Sequence, residues 1–361
     1  MLERFSVPAA DQVLVDHAAL RGTVTDLFVA CGVAADDAAA GADVLVTADL
    51  RGVETHGVSN MLRQYIGWFR DGIHNPRPEW RILHESRGTA TIDGDRGLGI
   101  IQGRPAMQLA IEKARDVGVG TVTMRNSGHL GPIGHFAYQA AEQGLVGMCM
   151  TASSLLIVPT FGALPRYGTN PIAFAAPARS RPFMLFDAAM STVASNKIGL
   201  ARRVGADMEP GWIAEPDGTP IMDERPAPTG NFSLLPLGGT REQGSHKGYG
   251  LGLLVEVMTT LLAGAVPRMI ERDTKPRHCF IAYNIEAFTD PDEFKDTMDR
   301  TLQTLTETPT APGHERVLYP GLPEYETEQH RRANGIPLHR EVIDWFNTIT
   351  AELSVARLET L

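Results

Sequence analysis

The chain has 361 residues, of which 43% are hydrophobic and 21% are charged, so it can bury the core of one large or two modest domains. A formal net charge of -10 argues against nucleic acid or an anionic membrane surface as a partner. Cys31, Cys149 and Cys279 lie far apart and outside any CxxC spacing, which gives little support to a disulfide framework or a thiolate metal site. With no secretion signal and no apolar run of membrane-spanning length, we expect a cytoplasmic protein.

The first third of the sequence changes from helical to mixed character. Apolar residues recur at three- and four-residue spacing over residues 10–50, which predicts two or three helices. Further along, β-prone runs at residues 90–93 and 120–124 alternate with helix-like sequence at residues 102–117. Alternation of this kind predicts an α/β core.

The rest of the sequence continues the α/β pattern and then returns to helices. Two further helices are predicted, at residues 133–144 and 248–263. Strands are predicted between them, at residues 145–151, 172–176 and 183–187. Pro, Gly and Asp are abundant at residues 205–230, which indicates a long surface excursion, and the polar tail at residues 290–361 is helical again. We therefore expect an α/β core flanked by helices from both chain ends.

The glycine-rich motif of a Rossmann dinucleotide site is missing from this pattern. Such a site places GxGxxG directly after the first strand, with an acidic residue roughly twenty positions later. The run from Gly118 to Thr123 lacks the third glycine and leads into a strand, and the glycines of residues 128–134 are three apart. The sequence therefore predicts that any nicotinamide dinucleotide binds on a non-Rossmann scaffold.

The stretch from Asp49 to Gly57 contains the first candidate catalytic residue. His56 stands between Thr55 and Gly57, just beyond a predicted helix end, where an imidazole is exposed and suited to acid or base catalysis near neutral pH. A solvent-facing or capping histidine is the competing interpretation. Zinc binding through Glu54 and His56 has weak support, because the sequence contains no HExxH.

His129 is the second candidate, in a polar, glycine-rich loop between a predicted strand and a predicted helix. α/β proteins place ligands at such loops, because the loop is free of sheet pairing and the next helix presents unpaired N–H groups. His129 is therefore interpreted as functional, with a structural role as the alternative. His135, one turn into the helix, is assigned to packing.

Three further stretches are weaker signals on their own. The turn at residues 167–171 can hold a cofactor carboxamide or ribose, although an ordinary β-turn explains it as well. Asp187 ends an apolar strand, where a carboxylate is costly unless it is paired, acts on a neighbour or caps the following helix. Residues 237–251 combine a flexible loop, the cations around His246 and Lys247 and a helix start, which suits a pyrophosphate or an adenosine ribose.

Taken together, six blocks of the sequence resemble the type 2 malate/L-lactate dehydrogenase family over nearly the whole chain. This family also includes L-sulfolactate, ureidoglycolate, 2,3-diketogulonate and Δ1-piperideine-2-carboxylate oxidoreductases. In chain order the blocks are DLRGVETHGV (49–58), SGHLG (127–131), YGTNPIAFAAP (167–177), FDAAMSTVA (186–194), LPLGG with HKGYGL (235–251), and YPGLPEYE through RRANGIPL (319–338). Their number and order make the resemblance specific.

The resemblance implies a fold and a domain organisation. The expected fold is a non-Rossmann α/β fold of the L-sulfolactate dehydrogenase type, in which a mixed sheet is flanked by helices from both termini. Residues 1–85 and 310–361 are expected to form a helical domain, and residues 86–309 an α/β domain for cofactor binding and catalysis. The resemblance also implies a homodimer that binds NADH or NADPH and a small carboxylate substrate.

The resemblance further implies roles for individual residues. His129 and His56 are expected to line the reaction centre, with Asp187 in support. The expected cofactor side contains Thr169, Asn170, Pro171, His246, Lys247 and Gly248. We favour His129 as the proton relay and His56 as a substrate-orienting donor, and the reverse assignment stays open. The choice between NADH and NADPH is also open, since Lys247 or Arg241 can hold either a 2′-phosphate or the pyrophosphate.

One position departs from the family pattern. Many relatives carry an arginine four residues after the first histidine, where it can bind a substrate carboxylate bidentately, and this sequence has Asn60 there. Arg51 and Arg63 are candidates to replace it, beside Thr55 in the expected substrate site. A solvated surface or a structural salt bridge explains both arginines equally well. The identity of the substrate therefore does not carry over from malate or lactate enzymes.

The sequence thus predicts an NAD(P)-dependent oxidoreductase that transfers a hydride at the carbon next to a carboxylate, as in the interconversion of 2-hydroxy and 2-keto acids. The nearest alternative is a reductase of cyclic imines with a 2-carboxylate, which would use the same histidines. A metal-dependent hydrolase is less favoured, with His56, His129, His135 and Asp187 as ligands. A non-catalytic dinucleotide-binding module is the remaining alternative. We predict no bound metal.

Overall fold

Helices and strands alternate along the chain in the computed structural model, which describes residues 5–273 and 275–361. The helices are α1 (His17–Ala30), α2 (Ala35–Leu50), α3 (Arg63–Arg70), α4 (Gly99–Val117), α5 (Gly134–Glu142), α6 (Ser195–Val204), α7 (Ser245–Val255), α8 (Pro291–Thr306), α9 (Leu322–Asn334) and α10 (Arg340–Glu352). The strands are β1 (Gln12–Val15), β2 (Arg81–Glu85), β3 (Thr89–Asp93), β4 (Val119–Arg125), β5 (Val146–Ala152), β6 (Ile172–Ala176), β7 (Met184–Ala188), β8 (Asp207–Met208), β9 (Ile213–Ala214), β10 (Arg225–Pro226), β11 (Ser233–Leu234), β12 (Arg277–Tyr283) and β13 (Ile336–His339).

A seven-stranded sheet forms the centre of the fold, with the strand order β2-β3-β4-β12-β5-β6-β7. β3 and β4 are parallel, whereas the other neighbouring strands are antiparallel. The expected mixed sheet is therefore confirmed. β12 lies between β4 and β5 and is buried along almost its whole length, so it lacks the alternation of polar and apolar residues that identifies a strand in a sequence.

The two chain ends meet on one side of this sheet. β1 pairs with β13 in antiparallel register from Gln12 opposite His339 to Val15 opposite Ile336. The hydrophobic core runs without a break from the helices near both ends into the sheet, through residues such as Leu27, Phe346 and Phe280. Helices from both termini therefore flank the sheet, as expected, while the domain boundaries stay a prediction. No helix in the described part of the chain combines the length and apolar composition needed to cross a membrane.

The segment at residues 205–230, expected to be a surface excursion, also carries buried side chains. β8 pairs with β10, and β9 pairs with β11 just beyond the segment. Met208, Trp212 and Ile213 pack with Phe5 and Tyr167 in a second hydrophobic cluster. The abundance of Pro, Gly and Asp correctly indicated turns, but it concealed the apolar residues that anchor them.

Two glycines allow helices to approach the sheet closely. A Cβ added to Gly120 in β4 would lie 1.9 Å from the carbonyl oxygen of Ala110 in α4. A Cβ added to Gly147 in β5 would lie 2.2 Å from the carbonyl oxygen of Ala137 in α5. Because these neighbours are backbone atoms, a side chain at either position forces the helix away from the sheet.

We predict that Gly120→Ala lowers the free energy of unfolding by about 1–3 kcal/mol or more, because overpacking at a backbone contact displaces α4. Urea unfolding followed by circular dichroism measures the change. Gly199→Ala is the matched control, since Gly199 lies in α6 with nothing within 4 Å of an added Cβ. Equal stability of the two variants would contradict the close packing of α4 on β4.

Candidate active site

A cavity of about 850 Å³ lies between the helical region and the edge of the sheet. Its wall is built from α2 and the turn that follows it, the loop after β4, the end of β7, the start of α6, and α9. Residues that line it include Thr55, His56, His129, His135, Ser153, Thr169, Pro171, Asp187, Asn196, Glu324 and Glu328. Side chains from distant parts of the sequence therefore share one enclosed space.

The imidazoles of His56 and His129 face each other on this wall. Their ring centroids are 5.8 Å apart and the ring planes differ by only 10°. His56 ends a 3₁₀ turn, Glu54–His56, after α2, and His129 lies in the loop after β4. The two histidines predicted from separate motifs thus lie together, close enough to act on one small molecule.

The His129 imidazole is held at its Nδ1 atom by two groups. The hydroxyl of Tyr65, on α3, lies 2.7 Å from Nδ1, and the backbone N–H of Gly131 donates to the same atom over 3.3 Å. These contacts engage Nδ1 of a ring that lines the cavity. Tyr65 was missed in the sequence because it fits the apolar spacing of a helix, and only its phenol hydroxyl signals a polar role.

His278, in the central sheet, is hydrogen-bonded to the loop that carries His129. Its Nε2–H donates to the carbonyl oxygen of Gly128 over 3.0 Å, and its Nδ1 is 2.8 Å from the hydroxyl of Thr151. His278 is fully buried in the central strand β12. Sequence reasoning also missed this residue, because β12 itself was not predicted.

Burial keeps these imidazoles neutral. Burial lowers the pKa of His56 to about 4 and that of His278 to about 3. Burial also lowers the pKa of His129 to about 3, with smaller contributions from the neighbouring histidines His56, His278 and His74. The resting site therefore presents uncharged imidazoles to a ligand, and each can donate or accept one hydrogen bond.

The loop that carries His56 is fixed by a buried carboxyl group. Asp49, at the end of α2, accepts a hydrogen bond from the backbone N–H of Val58 over 2.8 Å, and burial raises the pKa of this carboxyl to about 8. A Cβ on Gly57 would lie 2.0 Å from the Asp49 carboxyl, so glycine is required there. On the other side, Asn196 donates to the backbone carbonyl of Thr55 over 2.7 Å.

The structure separates the four residues predicted to bind substrate into two pairs. Thr55 and Arg51 line the cavity, where Arg51 is 3.0 Å from Glu328 in an ion pair. Asn60 and Arg63 are not among the described residues that line it. The Asn60 amide donates to the Glu54 carbonyl oxygen and accepts from Arg203.

Arg63 is directed away from the cavity. It forms a 3.5 Å ion pair with Glu341, and its guanidinium lies over the Trp345 ring at 5.4 Å. These contacts agree with the alternative interpretation of Arg63, a structural salt bridge. Arg51, which also forms a salt bridge, is the predicted arginine that faces the cavity.

Asp187 and His135 lie in the same cavity, at the start of α5. The Asp187 carboxylate accepts from the N–H of Gly134 over 2.7 Å, and burial raises its pKa to about 6. Asp187 thus caps α5 rather than the helix that follows it in sequence. His135, which was assigned to packing, lines the cavity instead, because α5 begins at the cavity wall.

Of the predicted cofactor residues, Thr169 and Pro171 line the cavity. Asn170 is fully buried, with a φ of 40°, and its amide is already engaged by the N–H of Ser153, the carbonyl oxygen of Gly252 and the Glu256 carboxylate. It therefore positions Ser153, whose hydroxyl is 3.1 Å from that of Thr169.

His246, Lys247 and Gly248 form the first turn of α7, outside the set of described residues on the cavity wall. His246 and Lys247 are exposed, whereas Gly248 packs directly against the backbone of Leu237. A role for these three residues in cofactor binding stays a prediction. Within residues 5–273 and 275–361, no group of three or more His, Cys, Asp or Glu side chains is arranged to hold a metal ion.

We predict that His278 makes stability fall as the pH falls below about 6, because the unfolded chain then takes up a proton that the buried imidazole rejects. His278→Gln removes this group. The slope of unfolding free energy against pH should become shallower by about one proton, roughly 1.4 kcal/mol per pH unit, between about pH 6 and pH 4. Urea unfolding at each pH measures it, with His314→Gln at an exposed position as the control. An unchanged slope in His278→Gln would show that this imidazole is charged in the folded protein.

Comparison with known proteins identifies the family. Residues 15–347 match the family model for malate/L-lactate dehydrogenases. The malate dehydrogenase of Pyrococcus abyssi is 40% identical over 93% of this chain and 94% of that protein, and the L-sulfolactate dehydrogenase of Methanocaldococcus jannaschii is 35% identical over 92% and 95%. The solved structure of malate dehydrogenase from Pyrococcus horikoshii OT3 matches with a TM-score of 0.89 at 34% identity, covering 98% of this chain and 99% of that chain. The chain is therefore an oxidoreductase that belongs to the malate/L-lactate dehydrogenase family, as its sequence motifs had indicated.

Proposed function

We propose that this enzyme uses NADH or NADPH to interconvert a small 2-hydroxy acid and the corresponding 2-keto acid. The observation that carries the proposal is the pair of facing imidazoles, His56 and His129, on the wall of one cavity. Relatives named malate dehydrogenase and L-sulfolactate dehydrogenase support a substrate with a carboxylate next to the reacting carbon. The reaction would therefore take place in this cavity, beside His56 and His129.

The residues of the cavity fit the nicotinamide end of such a cofactor. A volume of about 850 Å³ lies within the range of about 300–1,000 Å³ typical of small-molecule and cofactor sites. We assign the carboxamide to the hydroxyls of Ser153 and Thr169 beside Pro171, and the phosphates to His246 and Lys247 in the first turn of α7, where Gly248 allows close packing. When bound, the nicotinamide supplies or accepts the hydride.

The protein's side chains transfer the proton to or from the substrate oxygen. In the reduction a carbonyl oxygen becomes a hydroxyl and needs one proton, which His56 or His129 is placed to deliver. Both rings are neutral and partly shielded from water, so hydrogen bonds to them are stronger than in bulk solvent. We assign the substrate carboxylate to Arg51 and the Thr55 hydroxyl, and a supporting electrostatic role to Asp187.

We also propose that the enzyme is a cytoplasmic homodimer. Leu251, Leu254, Val257 and Leu261 form an exposed apolar strip along α7 and the π-helix Glu256–Leu261 that follows it. Contiguous exposed apolar surface of this kind is typical of subunit contacts. Three cysteines without disulfides agree with a reducing compartment.

The predicted dimer is tested by Leu254→Glu combined with Leu261→Glu, which places two charges on this strip. We expect the wild type to have the mass of a dimer by light scattering and the double variant to have the mass of a monomer. Leu318→Glu, at an equally exposed leucine elsewhere, is the control. A monomeric wild type, or a double variant that remains dimeric, would rule out this contact.

The reaction is tested by following absorbance at 340 nm with NADH and, separately, NADPH. The substrates are pyruvate, oxaloacetate, sulfopyruvate and Δ1-piperideine-2-carboxylate. We expect turnover of a 2-keto acid, reduced by about 10²- to 10⁴-fold in whichever of His56→Ala and His129→Ala removes the proton-transfer group.

His84→Ala is the control, because His84 is exposed on the edge strand β2. If only the cyclic imine is turned over, the substrate is a C=N compound rather than a keto acid, and the hydride transfer is the same. If the protein binds neither NADH nor NADPH, the proposed function is wrong. If both histidine variants keep the wild-type rate, neither histidine takes part in the reaction.

A further inference from the structure

Tyr65 contacts His129 from inside the protein core. Its side chain is fully buried on α3, and its hydroxyl lies 2.7 Å from His129 Nδ1. Burial raises the pKa of the Tyr65 phenol well above its ordinary value, so the hydroxyl keeps its hydrogen. Tyr65 is therefore available as a hydrogen-bond donor.

The second partner of His129 Nδ1 determines where the imidazole proton resides. The backbone N–H of Gly131 also points at Nδ1, and a backbone N–H can only donate. Nδ1 must therefore present its lone pair, and the hydroxyl of Tyr65 donates to that lone pair as well. A neutral imidazole with an unprotonated Nδ1 carries its hydrogen on Nε2.

His56 has a different kind of partner. Its Nδ1 lies 2.9 Å from the hydroxyl of Thr55, and a hydroxyl can either donate or accept a hydrogen bond. The His56 imidazole can therefore be neutral in either tautomer, or charged, without losing this contact. In His129, by contrast, a hydrogen on Nδ1 would face the N–H of Gly131.

We propose that Tyr65 is a positioning residue that holds His129 as a neutral Nε2–H donor to the substrate oxygen, and that His56 exchanges the proton with that oxygen. The assignment rests on the proposed function and reverses the roles expected from the sequence. In the reduction, the carbonyl carbon gains a C–H bond to the hydride of the reduced nicotinamide as the C=O π bond breaks. For this step the His56 imidazole first takes up a proton from solvent when the substrate carboxylate binds, and the oxygen then takes the hydrogen from Nε2 of the imidazolium. The N–H bond breaks to leave the neutral imidazole, and oxidation is the reverse.

Nitrogen-15 NMR of histidine side chains in the full-length protein tests the tautomer without requiring turnover. The wild type near neutral pH should show His129 with Nε2 protonated and Nδ1 unprotonated, the signals being assigned by their loss in His129→Gln. Tyr65→Phe removes only the hydroxyl, and we expect the Nδ1 signal to shift and a second tautomer to appear. Tyr283→Phe, in β12, is the matched control and should leave His129 unchanged.

A proton on Nδ1 of His129 in the wild type would overturn the proposal. An unchanged His129 signal in Tyr65→Phe would overturn the role of Tyr65. Both results are read from the resting protein, so they stay separate from failure of the proposed function, which would appear as absence of turnover with every substrate.

Glutamine variants separate the two histidines by their chemistry, because a glutamine amide can donate a hydrogen bond but does not exchange a proton. We expect kcat to fall only about tenfold in His129→Gln, because the amide still donates a hydrogen bond to the substrate oxygen, although a weaker one. In His56→Gln we expect a fall of about 10²- to 10⁴-fold. Equal losses, or a larger loss in His129→Gln, would contradict the division of roles.

Discussion

The geometry of the site depends on the hydrogen bond from the His278 imidazole to the carbonyl oxygen of Gly128. His278 belongs to β12, the middle strand of the seven-stranded sheet, which is paired with β4 on one side and β5 on the other. Its imidazole spans from Thr151 on β5 to the loop after β4, and satisfies both ring nitrogens in the process. The loop that carries His129 is thus anchored to the centre of the core, although it lies at the end of a strand where loops are usually mobile.

The loop of His56 is anchored in the same way from the other side of the cavity. Arg331, on α9, donates to the backbone carbonyl of Asp49 and forms a 2.6 Å ion pair with Glu54. Both side chains of this pair are mostly buried, so removing either partner would leave an uncompensated charge. α9 comes from the C-terminal part of the chain and Glu54 from the N-terminal part. Contacts between the two ends of the chain therefore position His56, whereas the central sheet positions His129.

Much of this arrangement was predictable from sequence, and the rest was not for identifiable reasons. His56 and His129 stood out because a polar ring between glycines or hydroxyl residues does not fit a core pattern. Tyr65 and His278 were concealed because they occupy buried helix and strand positions, where their polar atoms serve the site from inside the core.

Asn60 and Arg63, which were predicted at the substrate site, lie outside the set of described residues that line the cavity. The position of Asn60 was predicted from the resemblance alone, and residues Val58–Leu62 form a π-helix, whose turn is wider than that of an α-helix. Asn60, within this turn, is engaged by the Glu54 carbonyl oxygen and Arg203, and Arg63, just after it, pairs with Glu341. A sequence pattern carries no signal for such a turn, and the same limitation applies to the π-helix after α7.

Two neutral imidazoles 5.8 Å apart also constrain how the site can use protons. Charging one ring makes it more costly to charge the other, because like charges at this distance repel strongly in a buried site. The pair therefore takes up a first proton more readily than a second, and the two rings act as a coupled unit. A bound carboxylate or a developing alkoxide lowers the cost of that single positive charge, since opposite charges nearby favour the charged form. In the proposed reaction, proton uptake is thus linked to substrate binding, which would allow histidines of low pKa to serve a reaction that consumes a proton.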